Sequence, residues 1–132
     1  LQEISCRGKQ VLLVEDNELN LEIAVELLKY AGLNITTAKN GLEGLDKFKA
    51  APPGTYALIL MDIQMPVMNG LEAAKAIRAL PVKDAQTVPI VAMTANAFPE
   101  DIAATLQAGM NEHLSKPIDL EQFHSILQKW CQ

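Results

Sequence analysis

Five polar side chains stand where short apolar runs end. Glu15 and Asp16 follow the run at 11–14, Asp62 follows 56–61, Thr94 follows 90–93, and Lys116 closes the short segment at 113–114. If these runs are neighbouring strands, three carboxylates, a hydroxyl and an ammonium share one small polar site. Clustered carboxylates repel one another, and a hard cation bound between them relieves that cost. Oxygen donors without His or Cys suit Mg2+ or Mn2+. A cation beside a further carboxylate, with an ammonium and a hydroxyl opposite, suits phosphoryl transfer: the positive charges neutralise phosphoryl oxygens and the hydroxyl donates a hydrogen bond. A carboxylate can also be the nucleophile, giving an aspartyl phosphate. Asp62 sits alone at its strand end and is the candidate acceptor.

Taken singly, each residue has an ordinary reading. Glu15 and Asp16 suit a helix first turn, Asp62 a turn, Thr94 a strand end, and Lys116 a solvated surface. Their joint placement at four successive strand ends favours the chemical reading.

The elements that must position them follow from periodicity. Residues 11–14, 35–38, 56–61, 90–93 and 113–114 read as strands. Asn17 caps a helix whose Leu21, Ala24, Val25 and Leu28 recur at i, i+3, i+4 and i+7, with Gly32 as its stop. Leu42, Leu45 and Phe48 mark a helix after Gly41, and Leu71, Ala74 and Ile77 one after Gly70. Pro99 opens a helix, where its missing N–H costs nothing; Ile102 and Leu106 are expected to face inward, and Gly109 ends it. Asp119 caps a last helix with Leu120, Phe123, Ile126, Leu127 and Trp130 on one face. Residues 52–54 and 81–89 read as loops. Apolar runs without alternation suit strands buried on both faces of a parallel sheet, and strand–helix repetition gives a doubly wound α/β fold with five helices. In such sheets the ligand crevice lies beyond the carboxyl ends of the strands.

Composition bounds the remainder. A chain of 132 residues with 49% hydrophobic and 20% charged residues is one globular domain: residues 1–8 read as a tail and 9–132 as the domain. The net charge of −5 argues against nucleic acid or an anionic membrane as partner. No apolar run reaches a membrane span and no signal peptide opens the chain, so a cytoplasmic location is expected. Cys6 and Cys131 make no disulfide framework, although they could meet at the amino edge of the sheet. His124 is expected on a solvated helix face, and Met61, Met65 and Met93 as core filling. A start at Leu1 suggests a piece of a longer chain.

Four segments carry a family resemblance: VLLVEDNELN (residues 11–20), LILMDIQMPVMNG (58–70), PIVAMTANAF (89–98) and NEHLSKPID (111–119). In order and spacing the sequence resembles the receiver domain of two-component signalling, from about Lys9 to Trp130, and most closely the receivers of hybrid sensor histidine kinases. The resemblance implies a flavodoxin-like sheet of order 2-1-3-4-5. It implies Asp62 as phosphoacceptor and Asp16 as direct metal ligand with Asp62. Glu15 would act through a metal-bound water, and the Gln64 backbone carbonyl would complete the metal shell. Thr94 would be the switch hydroxyl, Lys116 the phosphoryl-neutralising lysine with a cis bond to Pro117, and His113 the rotameric switch position. Asn96 would influence access of the hydrolysing water, giving the domain weak self-dephosphorylation.

The implied donor is the phosphohistidine of a histidine kinase, and the implied acceptor a histidine phosphotransfer domain. The surface of the fourth helix, fifth strand and fifth helix would respond. Three departures stand out. Glu15 replaces the commoner Asp and reaches one methylene further. Asn69 replaces Asp at a loop position, with little effect expected. His113 replaces an aromatic ring with an imidazole, which titrates near neutral pH. Three alternatives remain: a stand-alone response regulator, a receiver without phosphorylation, and an aspartyl-phosphate phosphatase. The phosphatase needs a second Asp two residues past the nucleophile as general acid, where this chain has Gln64.

Overall fold

Apolar runs form the strands of a computed structural model that describes residues 7–95, 98–116 and 118–130. The strands are β1 (Gln10–Val14), β2 (Asn34–Ala38), β3 (Tyr56–Asp62), β4 (Ile90–Thr94) and β5 (Glu112–Ser115). They form one sheet of order β2-β1-β3-β4-β5, every pair parallel, as the resemblance implied. The helices are α1 (Glu18–Tyr30), α2 (Gly41–Ala50), α3 (Gly70–Arg78), α4 (Lys83–Thr87), α5 (Pro99–Gln107) and α6 (Leu120–Trp130).

Alternate strand residues feed two cores. Val11, Leu13, Leu58, Leu60, Val91, Met93 and Leu114 pack beneath α1 and α6 through Ala24, Leu28, Phe123, Ile126 and Leu127. Leu12, Val14, Ile59, Met61, Ile90 and Ala92 pack beneath the opposite helices through Phe48, Ala73, Ala74 and Ile77. Side chains with period two along a strand must serve both faces, so between their first and last residues the central strands β1, β3 and β4 carry no polar residue.

Caps fix where the helices begin beside the carboxyl edge. The Asn17 side chain accepts from the Asn20 amide, 3.0 Å away, at the start of α1. Asp119 does the same for Gln122 at 2.8 Å before α6. Asn69, expected as an indifferent loop residue, is the N-cap of α3: it accepts from the Glu72 amide while Glu72 accepts from the Asn69 amide. That reciprocal pair satisfies two helix-start donors, and Asn caps about as well as Asp.

Three expectations are corrected. The expected loop at 81–89 contains α4, so there are six helices. One turn of five residues is too short to show a period, and it forms because Ala85 is fully buried and Val88 N–H closes onto Asp84 O at 2.9 Å. Leu106 does not face inward: it is 56% exposed, and Thr105 is buried in its place, its hydroxyl bound to Ile102 O. From Ile102, positions 105 and 106 are equally helical continuations, and the burial of Ala108 selects the face through 105. Leu120 keeps the face of Phe123 and Leu127, at i, i+3 and i+7, but at the first turn of α6 it is 39% exposed. His124, expected on the solvated surface, is half-buried. Met61 and Met93 are core residues. Cys6, Asn96, Pro117 and Cys131 lie outside the described residues.

Candidate functional site

Parallel register brings the expected residues to one edge. Val14 pairs with Met61, so Glu15 and Asp62 leave β1 and β3 side by side. Asp62 pairs with Met93, one residue before Thr94, and Thr94 pairs with Ser115, one residue before Lys116. The backbone ladder continues past the strands: Glu15 N–H bonds Ala38 O at 2.9 Å, Ile63 N–H bonds Met93 O at 3.2 Å, and Lys116 N–H bonds Thr94 O at 2.8 Å. The side chains are therefore placed by continuous strand pairing and not by free loops.

At that edge the Lys116 ammonium bridges two buried carboxylates. It lies 2.9 Å from Glu15 Oε1 and 3.0 Å from Asp62 Oδ1. Glu15 and Asp62 are 2% and 4% exposed, so the pair is withdrawn from water. The other Glu15 oxygen accepts from the Asn17 amide at 3.2 Å. The extra methylene of Glu15 thus carries its carboxylate inward to the ammonium. Asp16, next along, is exposed. One carboxylate oxygen from each of Glu15, Asp16 and Asp62 lies within 4.8 Å of the others.

Three carboxylates converging at that spacing, one of them open to solvent, fit a hard divalent cation. In such a site Asp16 would be the accessible ligand and Asp62 the buried one. Thr94 is 8% exposed at the end of β4. His113 pairs with Ala92 in β5, two residues short of the Thr94 level, and is half-buried outside the carboxylate cluster. The Gln64 side chain is exposed in the loop after Asp62.

The electrostatics are set by burial. Desolvation pushes the Asp62 carboxyl up to about 7; the hydrogen-bonded Glu15 adds to the rise, and Lys116 opposes it. Burial pulls the Lys116 ammonium down, but its bonds to Glu15 and Asp62 outweigh that and hold it above the ordinary lysine value. A cation at Asp62 favours the ionised carboxylate. Without a cation, the unfolded chain releases this proton first as pH rises. Stability therefore falls between about pH 4 and pH 7 as Asp62 is forced to ionise in the fold. In a chelating buffer the melting temperature should decline across that window. The decline should be shallower in Asp62→Asn, and an identical slope in that variant would contradict the assignment.

Two glycines contribute to the site and were not singled out as site residues in the sequence. A Cβ at Gly70 would sit 2.2 Å from Asp62 O and 2.9 Å from Ile63 Cα, and Gly70 N–H bonds Ile63 O at 2.8 Å. A Cβ at Gly41 would sit 2.4 Å from Met68 O, which accepts the Gly41 N–H at 2.9 Å. The loop after Asp62 is thus pinned at both ends by close backbone approach. The only signal in the sequence is glycine at the first position of a helix, which is equally a loop marker.

Comparison with known proteins agrees with this geometry. A family model described as the response regulator receiver domain matches residues 11–128. The peroxide stress-activated histidine kinase mak1 of Schizosaccharomyces pombe is 38% identical over 121 residues, covering 91% of this chain but 7% of that protein. The chain therefore spans a small part of such relatives. Among solved structures, the receiver domain of sensor histidine kinase PA1611 from Pseudomonas aeruginosa PAO1, with a magnesium ion coordinated in its active site cleft, is 37% identical. It superposes with a TM-score of 0.84 over 94% of this chain and 98% of that one. The co-crystal structure of the Saccharomyces cerevisiae histidine phosphotransfer signaling protein Ypd1 and the receiver domain of Ssk1 matches at 33% identity and a TM-score of 0.82, over 95% and 90%.

Proposed function

The chain belongs to the response regulator receiver domain family, and from that premise we propose that Asp62 takes a phosphoryl group from a phosphohistidine. The observation that carries this reading is the pair of buried carboxylates, Glu15 and Asp62, bridged by one ammonium at the carboxyl edge of the sheet. An Asp62 oxygen attacks phosphorus in line; the new O–P bond forms as the P–N bond to the imidazole breaks, and the electron pair returns to that ring. Lys116 neutralises a transferred oxygen. Asp16 and Asp62, with the Gln64 backbone carbonyl and with Glu15 through water, would hold Mg2+, or Mn2+ in its place. The cation supplies charge neutralisation to the phosphoryl oxygens. Thr94 donates its hydroxyl to the acyl phosphate, and His113 follows towards the position Thr94 leaves. The added charge thereby biases a two-state element made of α5, β5 and α6.

The relatives in which such a domain is embedded support a hybrid sensor histidine kinase as the parent, with a histidine phosphotransfer domain as the next acceptor. No described helix is long and apolar enough to cross a membrane. Exposed Leu19 and Ile23 lie in the first half of α1, at the end nearer the site, with exposed Tyr30 at its far end, and offer a helical donor an apolar footing. The reading is tested by mixing the chain and Mg2+ with a phosphotransfer domain carrying labelled phosphohistidine. The label should leave the histidine and reappear on this chain as an acyl phosphate cleaved by hydroxylamine. A label that stays on the donor would count against it.

A further inference from the structure

Helix α5 is held very differently at its two ends. Its amino end follows β4 at the phosphoacceptor edge. Phe98, the N-cap, makes no side-chain cap and is 59% exposed. Through residues 98–104 no side chain is buried, and the only buried residue of the helix is Thr105. The carboxyl end is anchored instead. Ala108 and Met110 are buried at 2% and 3%, and Met110 N–H bonds Thr105 O at 3.0 Å.

One side chain from α3 binds that end. Arg78 donates from Nε to Gly109 O at 2.9 Å, from Nη1 to Ala85 O at 3.0 Å, and from Nη2 to Asn111 Oδ1 at 3.0 Å. Asn111 Oδ1 also accepts from Ile90 N–H at 2.8 Å, and Asn111 N–H returns to Ile90 O at 2.7 Å. A single planar fork thus joins α3, α4, the start of β4 and the turn after α5. Gly109 stands at φ +94°, and a Cβ there would meet Arg78 Cγ at 2.8 Å, so the turn is shaped around this side chain. Fixed donors in a fork hold geometry in a way that a point charge does not.

We infer that Arg78 is a positioning residue that makes α5 a lever, clamped at its carboxyl end and free to move at its amino end beside Thr94. The state of the site would then reach the surface as a tilt of the α5 head, not as a slide of the whole helix. The tilt rests on the phosphoacceptor reading above; the asymmetry of attachment does not.

Hydrogen exchange read by mass spectrometry tests both parts on the whole chain. In the unloaded protein, amides at 102–104 should exchange about tenfold or more faster than those at 108–111, as expected where local opening is easier at one end. Equal protection would overturn the lever. With Mg2+ and beryllium fluoride as phosphoryl analogue, protection should change at 101–104 and hold at 108–111; a change of equal size at 108–111 would overturn it. Arg78→Lys keeps the charge and loses the fork, and Asn111→Ala removes one partner. In both, the analogue-dependent change should spread into 108–111 while amides of β1 and β3 keep their protection. Loss of protection across β1 and β3 as well would assign Arg78 to general stability and overturn the inference. If the analogue changes nothing anywhere, the phosphoacceptor reading fails, and the unloaded gradient still decides the clamp.

Discussion

Lys116→Met is expected to lose about a hundredfold or more in the rate of phosphoryl uptake, the usual cost of removing a donor aimed at developing charge. It is also expected to bind Mg2+ more tightly than the native chain. The two effects have one cause. Lys116 Nζ lies 2.9 and 3.0 Å from Glu15 and Asp62, so its ammonium occupies the carboxylates that a cation needs. Removing it removes a competitor, and the affinity rises. Removing it also strips the charge that neutralises a phosphoryl oxygen, and the rate falls. Without divalent cation the variant leaves two buried carboxylates uncompensated, a defect of about 3–5 kcal/mol when one partner of a buried pair is lost. Its melting temperature should therefore rise with added Mg2+ by more than that of the native chain. Phosphodonor kinetics and cation titration measure the two quantities separately. Unchanged rate and unchanged affinity together would return Lys116 to the status of an ordinary surface lysine.

Gly70→Ala is expected to be the most damaging single methyl addition at the site. A Cβ placed 2.2 Å from the Asp62 carbonyl oxygen and 3.0 Å from its carbonyl carbon has only backbone to displace, and strand pairing holds that backbone on both sides. Overpacking of this kind costs about 3 kcal/mol. Any relaxation moves Asp62 itself, so phosphoryl uptake should fall along with stability. Chemical denaturation with the same phosphodonor assay reads both. Gly54→Ala is the control: nothing lies within 4 Å of a Cβ there, and it should leave uptake unaltered even where its φ of +82° costs some stability. A Gly70→Ala chain as stable and active as the native one would show that the approach is not tight.

The site was legible in the sequence because each polar residue interrupts an apolar run. Glu15 after residues 11–14 and Asp62 after residues 56–61 reach the same edge whenever the two runs pair in parallel, and no side chain needs to be known for that. The depth of burial was not legible. Nothing in the spacing indicates that one ammonium bridges Glu15 and Asp62, or that Asp16 remains exposed while Glu15 points inward. Helix faces were legible only where the apolar pattern was unambiguous. Leu28 and Phe123 followed it. Leu106 did not, because residues 105 and 106 continue the same face from Ile102 and distant packing at Ala108 decided between them. The five-residue α4 left no period to read, since it is held from outside by the bond from Arg78 to Ala85 O. Arg78 and Asn111, 33 positions apart, make a contact that no local pattern announces.

Phosphorylation of Asp62 is read by the intact mass of the chain after incubation with a small phosphodonor and Mg2+. One added phosphoryl group is expected, dependent on the divalent cation, lost on standing, and absent from Asp62→Ala. Failure to form any adduct, or an adduct that persists in Asp62→Ala, would contradict it.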